Sequence, residues 1–259
     1  MSYLTWNVDP VLISLGGIKI HWYGLLFMSG FLIGYQIMEK IYKKEKREPE
    51  NLDRLLWYLL LGTIVGARLG HCLFYDPGFY LSNPLEILAI WKGGLASHGG
   101  GVGVLLAIYL YQRKTSESYL WLLDRIAIPT ALVACLIRVG NLFNSEIIGH
   151  QTTVPWAIIF ERIDALPRHP TQLYESLSYA ITFIVLLVLY KTSRNKSGII
   201  IGAFLVCVFS SRFIIEFFKT KQAAYSLDLW LNTGQLLSIP FIVVGGVLIA
   251  LSFKHVKST

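Results

Sequence analysis

The sequence predicts an all-α polytopic membrane protein of about seven transmembrane helices, with its N-terminus outside and its C-terminus in the cytoplasm. Three observations carry this. Of 259 residues, 54% are hydrophobic and only 15% charged, too little charge to cover a soluble domain of this length. Apolar runs of about 20 residues, the length that crosses a bilayer as a helix, recur along the whole chain. The basic residues gather in alternate connections between those runs.

An N-terminal arm over 1–20 comes first. Span one, 21–41, opens on His21-Trp22-Tyr23, and an interfacial aromatic belt accounts for Trp22 and in part for Tyr23. The polar run Lys43 to Glu50 separates it from span two, 53–75. Span three, 88–111, begins in a glycine-rich stretch, and span four covers 119–139. Spans five, 171–190, and six, 198–218, flank the polar Lys191 to Lys196, and span seven closes the series at 233–253. No soluble domain, internal repeat or low-complexity segment interrupts them, so residues 1–259 read as a single integral membrane domain. The N-terminus has neither a basic cluster before a short apolar core nor a small-residue cleavage site, so the first span is expected to stay.

Orientation follows from counting lysines and arginines. The stretches at 40–54, 112–118, 191–197 and the tail after 253 carry 13 of them. The arm, the connections at 76–92 and 141–170, and the 219–232 loop carry 6. The positive-inside rule places the richer side in the cytoplasm. On that topology the polar residues His21, Tyr23, Arg68, His71, His98, Arg138 and Arg212 converge near the outer surface.

The net charge of +7 therefore reads as a topology signal and a contact with anionic lipid headgroups, and nucleic acid is not expected as a partner. Cys72, Cys135 and Cys207 lie in apolar segments and form no CxxC pair, so they read as packing residues. The six histidines show no HExxH spacing, and no GxSxG elbow, Walker loop or dinucleotide fingerprint is present. Neither a metal nor a cofactor is expected.

The chemistry lies in charged residues inside apolar segments. Arg68, Arg138 and Arg212 each fall within or at the end of a span. A central membrane arginine costs about 2.5–3.5 kcal/mol on insertion scales, so such residues usually face the bundle interior or a wet cavity. Snorkelling or interhelical pairing is the alternative for any one of them, and three together, with histidines and acids close by in sequence, weaken it. From Trp91 to Gly103, six glycines in eleven residues weaken a regular helix around His98. That stretch is expected to form a site, with His98 as the best candidate for a general base. Gly62, Gly66 and Gly70, at four-residue spacing, read as a packing face. The run Arg138 to Gly149 sets Asn141, Asn144 and Glu146 after an arginine. A guanidinium fork there can hold a phosphate while the amides orient it, although Asn141 and Asn144 also suit turns and caps. Arg212 and Glu216, four apart, share a helix face, either as charge compensation or with Glu216 holding Arg212 ready for an anion.

The Arg138–Gly149 segment resembles the signature of the bacterial prolipoprotein diacylglyceryl transferases. Further landmarks of that family run through the chain in order: His21-Trp22-Tyr23-Gly24, Trp91 to Gly103, Arg168-His169-Pro170-Thr171-Gln172-Leu173-Tyr174-Glu175, Arg212 to Phe218, and Gly234 to Pro240. Ile137, Leu142 and Val208 depart from its usual glycine, phenylalanine and tyrosine. The resemblance implies transfer of the diacylglyceryl group of phosphatidylglycerol to the lipobox cysteine of a prolipoprotein, with glycerol 1-phosphate released. This is the first step of lipoprotein maturation. It implies a multi-pass protein of the bacterial inner membrane, acting near the outer leaflet, and a monomer is expected. On this reading His98 takes or relays the thiol proton, and Arg138 and Arg212 hold the phosphate. Asn141, Asn144, Glu146 and Glu216 orient those groups, and Tyr23 hydrogen-bonds the headgroup or substrate. Gly149 matches a family position where a side chain is not tolerated.

Two other classes compete with an enzyme. An anion transporter would show repeat symmetry and a site near the midplane, and neither is visible in the sequence. A structural subunit would spread its ion pairs over many depths, whereas these gather at one.

Overall fold

The structure is a computed structural model that describes residues 3–220 and 231–254. Lys221 and Lys257, counted above on the outer loop and the tail, lie outside the described residues. Eight helices are described: α1 (Trp22–Lys44), α2 (Pro49–Phe74), α3 (Pro77–Ser82), α4 (Ser97–Gln112), α5 (Tyr119–Asn144), α6 (Thr171–Ser193), α7 (Ile199–Ile215) and α8 (Thr233–Lys254). The fold is that of a helical polytopic membrane protein. Among the described residues five helical stretches, namely α2, α5, α6, α7 with the turn running on to Phe218, and α8, are long and apolar enough to cross a membrane. The seven expected spans correspond to α1, α2 and α4–α8, but α1 ends in Lys43 and Lys44, and α4 has only 16 residues. At 1.5 Å per residue α4 reaches about 24 Å, short of a ~30 Å hydrocarbon core.

The chain divides into two compact units, 1–37 with 124–259 and 38–123. In the second unit α2 packs along α4 through glycine. A Cβ on Gly62, Gly66, Gly70, Gly99 or Gly103 would fall under 3.0 Å from an atom of the facing helix, so only glycine permits this approach. The packing expected at Gly62, Gly66 and Gly70 is present. It extends to Gly99 and Gly103, which the sequence assigned to a broken site, because close packing offsets the low helix propensity of glycine. The backbone breaks earlier. Residues Pro84–Leu88 and Ile90–Lys92 coil into 3-10 turns, and Gly93 (φ 85°) and Gly94 (φ 72°) take left-handed backbone before α4 begins at Ser97 rather than at 88.

Arg68, only 4% exposed, holds that break in place. Its Nε donates to the Ile87 carbonyl (2.9 Å) and its Nη2 to that of Glu86 (2.6 Å). Its Nη1 donates to the carbonyls of Gly93 (2.5 Å) and Gly94 (3.2 Å). One guanidinium thus engages the carbonyls of Ile87, Gly93 and Gly94 and adds a second donor to that of Glu86, which also accepts from the Ala89 N–H.

The first unit carries α5–α8 and the strands. Buried Asp124 caps α7, accepting from the backbone N–H groups of Gly198 (2.8 Å) and Ile201 (2.9 Å). Gly202 and Gly245 bring α7 and α8 together as glycines do in α2 and α4. The all-α expectation did not include the short strands found in the arm and after α5. β1 (Leu4–Trp6) pairs parallel with β4 (Ile158–Phe160), which pairs antiparallel with β5 (Pro167–Arg168). β2 (Val11–Leu15) and β3 (Ile18–His21) form a hairpin turning at Gly16 and Gly17, both at positive φ. Leu142, Ile158 and Phe160, with Trp6 and Ile148, form the core of this lobe, so an aliphatic Leu142 fits its place.

Candidate active site

The end of α5 sets the site. Leu142 and Asn141 accept the last turn's bonds from the N–H groups of Ser145 (3.0 Å) and Glu146 (2.9 Å), while Ser145 takes left-handed backbone, φ 56°. This is the geometry that usually ends a helix on glycine. Ile147 also has φ 56°, a strained conformation for a β-branched residue that costs about 1–3 kcal/mol. The N-terminus of α6 holds the strained turn from outside. Thr171 Oγ1 donates to the Ile147 carbonyl and Gln172 Nε2 to that of Glu146, both at 2.6 Å.

The turn presents one connected polar array. Arg138 Nη1 donates to Asn141 Oδ1 (3.0 Å), and Asn141 Nδ2 donates to Glu146 Oε2 (3.0 Å). Asn144 Nδ2 donates to the other carboxylate oxygen of Glu146 (3.1 Å). The amides thus hold an exposed carboxylate with both oxygens engaged. The charges of Arg138 and Glu146 both act on the hydroxyl of Tyr23, whose ring lies over Gly140; a Cβ there would stand 2.8 Å from Tyr23 Cδ2. Trp22 stacks on Phe143 with centroids 4.8 Å apart. Gly149 is as confined as expected, since a Cβ would meet the Phe218 carbonyl at 2.6 Å and the His169 carbonyl at 2.7 Å.

Behind Arg138 stands Glu175 of α6, its side chain 0% exposed. Arg138 Nε lies 2.8 Å from Glu175 Oε2, an ion pair off the direction of a hydrogen bond, so neither atom has a hydrogen-bond partner. Lys219 Nζ donates to Glu175 Oε1 (2.8 Å) and lies 3.4 Å from Glu216 Oε2. Tyr179, one turn on from Glu175, feels the charges of both Arg138 and Arg212.

The expected Arg212–Glu216 pair is not formed. α7 runs to Ile215 and the Glu216 N–H still bonds to the Arg212 carbonyl, so helix spacing does bring the two together, but the Glu216 carboxylate is engaged elsewhere. Glu216 lies instead against Gly234, where a Cβ would come 2.7 Å from its Cδ, and turns to Lys219. Among the described residues half-buried Arg212 makes no hydrogen bond or ion pair. Two cations, Arg138 and Lys219, are thus matched by two carboxylates, Glu175 and Glu216, and Arg212 is the cation left to take an anion.

His98 lies in the other unit, exposed at the second position of α4. The sequence missed Glu175, Lys219 and Tyr179. Glu175 carried a usable signal, an acid near the start of an apolar span, whereas Lys219 read only as a loop cation.

Outside the spans, Arg168 donates to both Asp164 oxygens from Nε (3.2 and 3.1 Å) and holds that carboxyl below its usual range. Burial, then neighbouring His150, keeps His169 below the ordinary histidine range. Its Nδ1 lies 3.0 Å from the Tyr174 hydroxyl, which also accepts from Trp156 Nε1 at 2.8 Å.

A family model described as prolipoprotein diacylglyceryl transferase matches residues 10–251. The chain is similar to a phosphatidylglycerol–prolipoprotein diacylglyceryl transferase of Tolumonas auensis, 57% identical over 254 residues, with 97% of this chain and 98% of the relative covered. A protein of the same name from Chloroherpeton thalassium is 51% identical over 259 residues, covering 99% and 97%. One from Porphyromonas gingivalis is 48% identical over 272 residues, covering 98% and 96%. A polar array around Arg138 at the end of an apolar helix and a match along nearly the whole chain agree: the protein belongs to the prolipoprotein diacylglyceryl transferase family.

Proposed function

We propose that this array moves the diacylglyceryl group of phosphatidylglycerol onto the lipobox cysteine thiol of a prolipoprotein. The observation that carries the reading is Arg212, a cation without a partner among the described residues, in the same unit as Arg138, which its neighbours hold in position. A phosphodiester headgroup supplies the missing anion. Arg212 takes the phosphate as a planar fork, and Arg138 stabilises the charge that grows on the leaving oxygen.

The cysteine thiol must lose its proton before it attacks, and His98 is assigned that proton on chemistry alone. The thiolate then displaces the phosphate at the glyceryl carbon. A C–S bond forms, the C–O bond breaks, and glycerol 1-phosphate leaves with the electron pair. Asn141, Asn144 and Glu146 orient the headgroup, and Tyr23 hydrogen-bonds it. Glu216 acts at one remove, through Lys219.

The same proposal includes the topology: seven spans with α1 and α4 among them, the N-terminus outside, and a monomer in the bacterial inner membrane with its site near the outer leaflet. No nucleic acid takes part. Purified protein incubated with phosphatidylglycerol and a lipobox peptide should release glycerol phosphate as the peptide gains mass, with both signals lost in Arg138→Ala. Peptide modification without glycerol phosphate release would reject the displacement.

A further inference from the structure

We propose that Lys219 is a positioning residue: by engaging the Glu175 and Glu216 carboxylates it keeps Glu175 on Arg138 and keeps Glu216 off Arg212. The inference rests on the reading of Arg212 as phosphate receptor.

Lys219 follows the 3-10 turn that closes α7, and its backbone is fixed twice. Its N–H donates to the Glu216 carbonyl at 3.3 Å, and it forms a bridge with Gly149 across the turn that follows α5. Its side chain, only 9% exposed, ends between two carboxylates at 2.8 and 3.4 Å. Glu175 has no other cation than Arg138 and Lys219 within ion-pair distance among the described residues, and Glu216 has only Lys219. Glu216 Oε2 is buried and lacks a hydrogen-bond partner. A carboxylate so placed takes the next available cation when its lysine is removed. That cation is Arg212, one helical turn back, whose carbonyl already accepts the Glu216 N–H. Lys219 is therefore what leaves Arg212 free for substrate. A lysine that merely fastened α6 to α7 would affect folding without affecting the lipid phosphate.

The test uses the full chain in lipid nanodiscs, with phosphatidylglycerol varied at saturating lipobox peptide. In Lys219→Met, Glu216 competes with the headgroup for Arg212, so KM for phosphatidylglycerol should rise roughly tenfold or more while kcat falls much less. Removing the captor in Lys219→Met/Glu216→Gln should bring KM back to within about threefold of wild type. Lys219→Arg, which keeps the charge, should leave KM close to wild type. If Lys219→Met does not fold, Lys219→Gln is read in the same way. An unchanged KM beside a lowered melting temperature, or a double variant no better than the single, overturns the proposal. Absence of transfer by the wild-type protein would instead count against the functional reading itself.

Discussion

Arg68 and Arg138 look alike in the sequence, each a lone arginine in an apolar helix, yet their surroundings differ in kind. Arg68 spends its donors on four backbone carbonyls in and just after the 3-10 turns and, among the described residues, forms no ion pair. Arg138 meets a carboxylate and an amide whose own partners extend to Glu146 and Lys219. The first arginine completes a backbone; the second belongs to a network of ionisable groups. An arginine buried in a membrane helix signals function only through what its donors meet.

The sharpest way to break this contrast is to remove Arg212. Arg212→Ala should lower kcat/KM by about 10²–10³, the scale of losing one preorganised donor at developing charge. Arg212→Lys should also fall well below wild type, because lysine lacks the planar fork. A mild loss in either would reduce Arg212 to charge balance. Next in size is Glu175→Gln, which leaves Arg138 and Lys219 short of a buried carboxylate. A destabilisation of about 3–5 kcal/mol is expected, read as a lowered melting temperature. Arg68→Met should leave carbonyls at 87, 93 and 94 short of their guanidinium donor, at about 1–3 kcal/mol, and speed hydrogen exchange over 84–95. Intact protection there would show that the carbonyl cage is not what holds the segment.

The smallest effect concerns His169. Its folded-state pKa is depressed, so below the unfolded value of about 6.5 the unfolded chain binds the extra proton. Stability should be flat above that pH and fall as pH drops through the interval down to the folded value. His169→Asn should remove this component of the slope in a melting-temperature series.

The sequence located six of the longer helices to within a few residues, because an apolar run bounded by charge has no soluble alternative. It also found the Arg138–Gly149 turn, where an arginine, two amides and an acid are out of place in an apolar setting. It misjudged the start of α4, since a glycine run looks the same whether it breaks a helix or packs one. The strands escaped it because they are five residues or fewer, too short for a period to register. Glu175 and Lys219 come from different helix ends and acquire meaning only when folding brings both to Arg138. Arg212 and Glu216 were paired on helix spacing alone, which does not show that Lys219, three residues on, engages the Glu216 carboxylate.

The most direct test is to titrate phosphatidylglycerol onto the purified protein and count bound lipid by native mass spectrometry in wild type, Arg212→Lys and Arg68→Lys. The account predicts that wild type and Arg68→Lys retain the phosphatidylglycerol and that Arg212→Lys loses it. Retention in Arg212→Lys equal to wild type would contradict it.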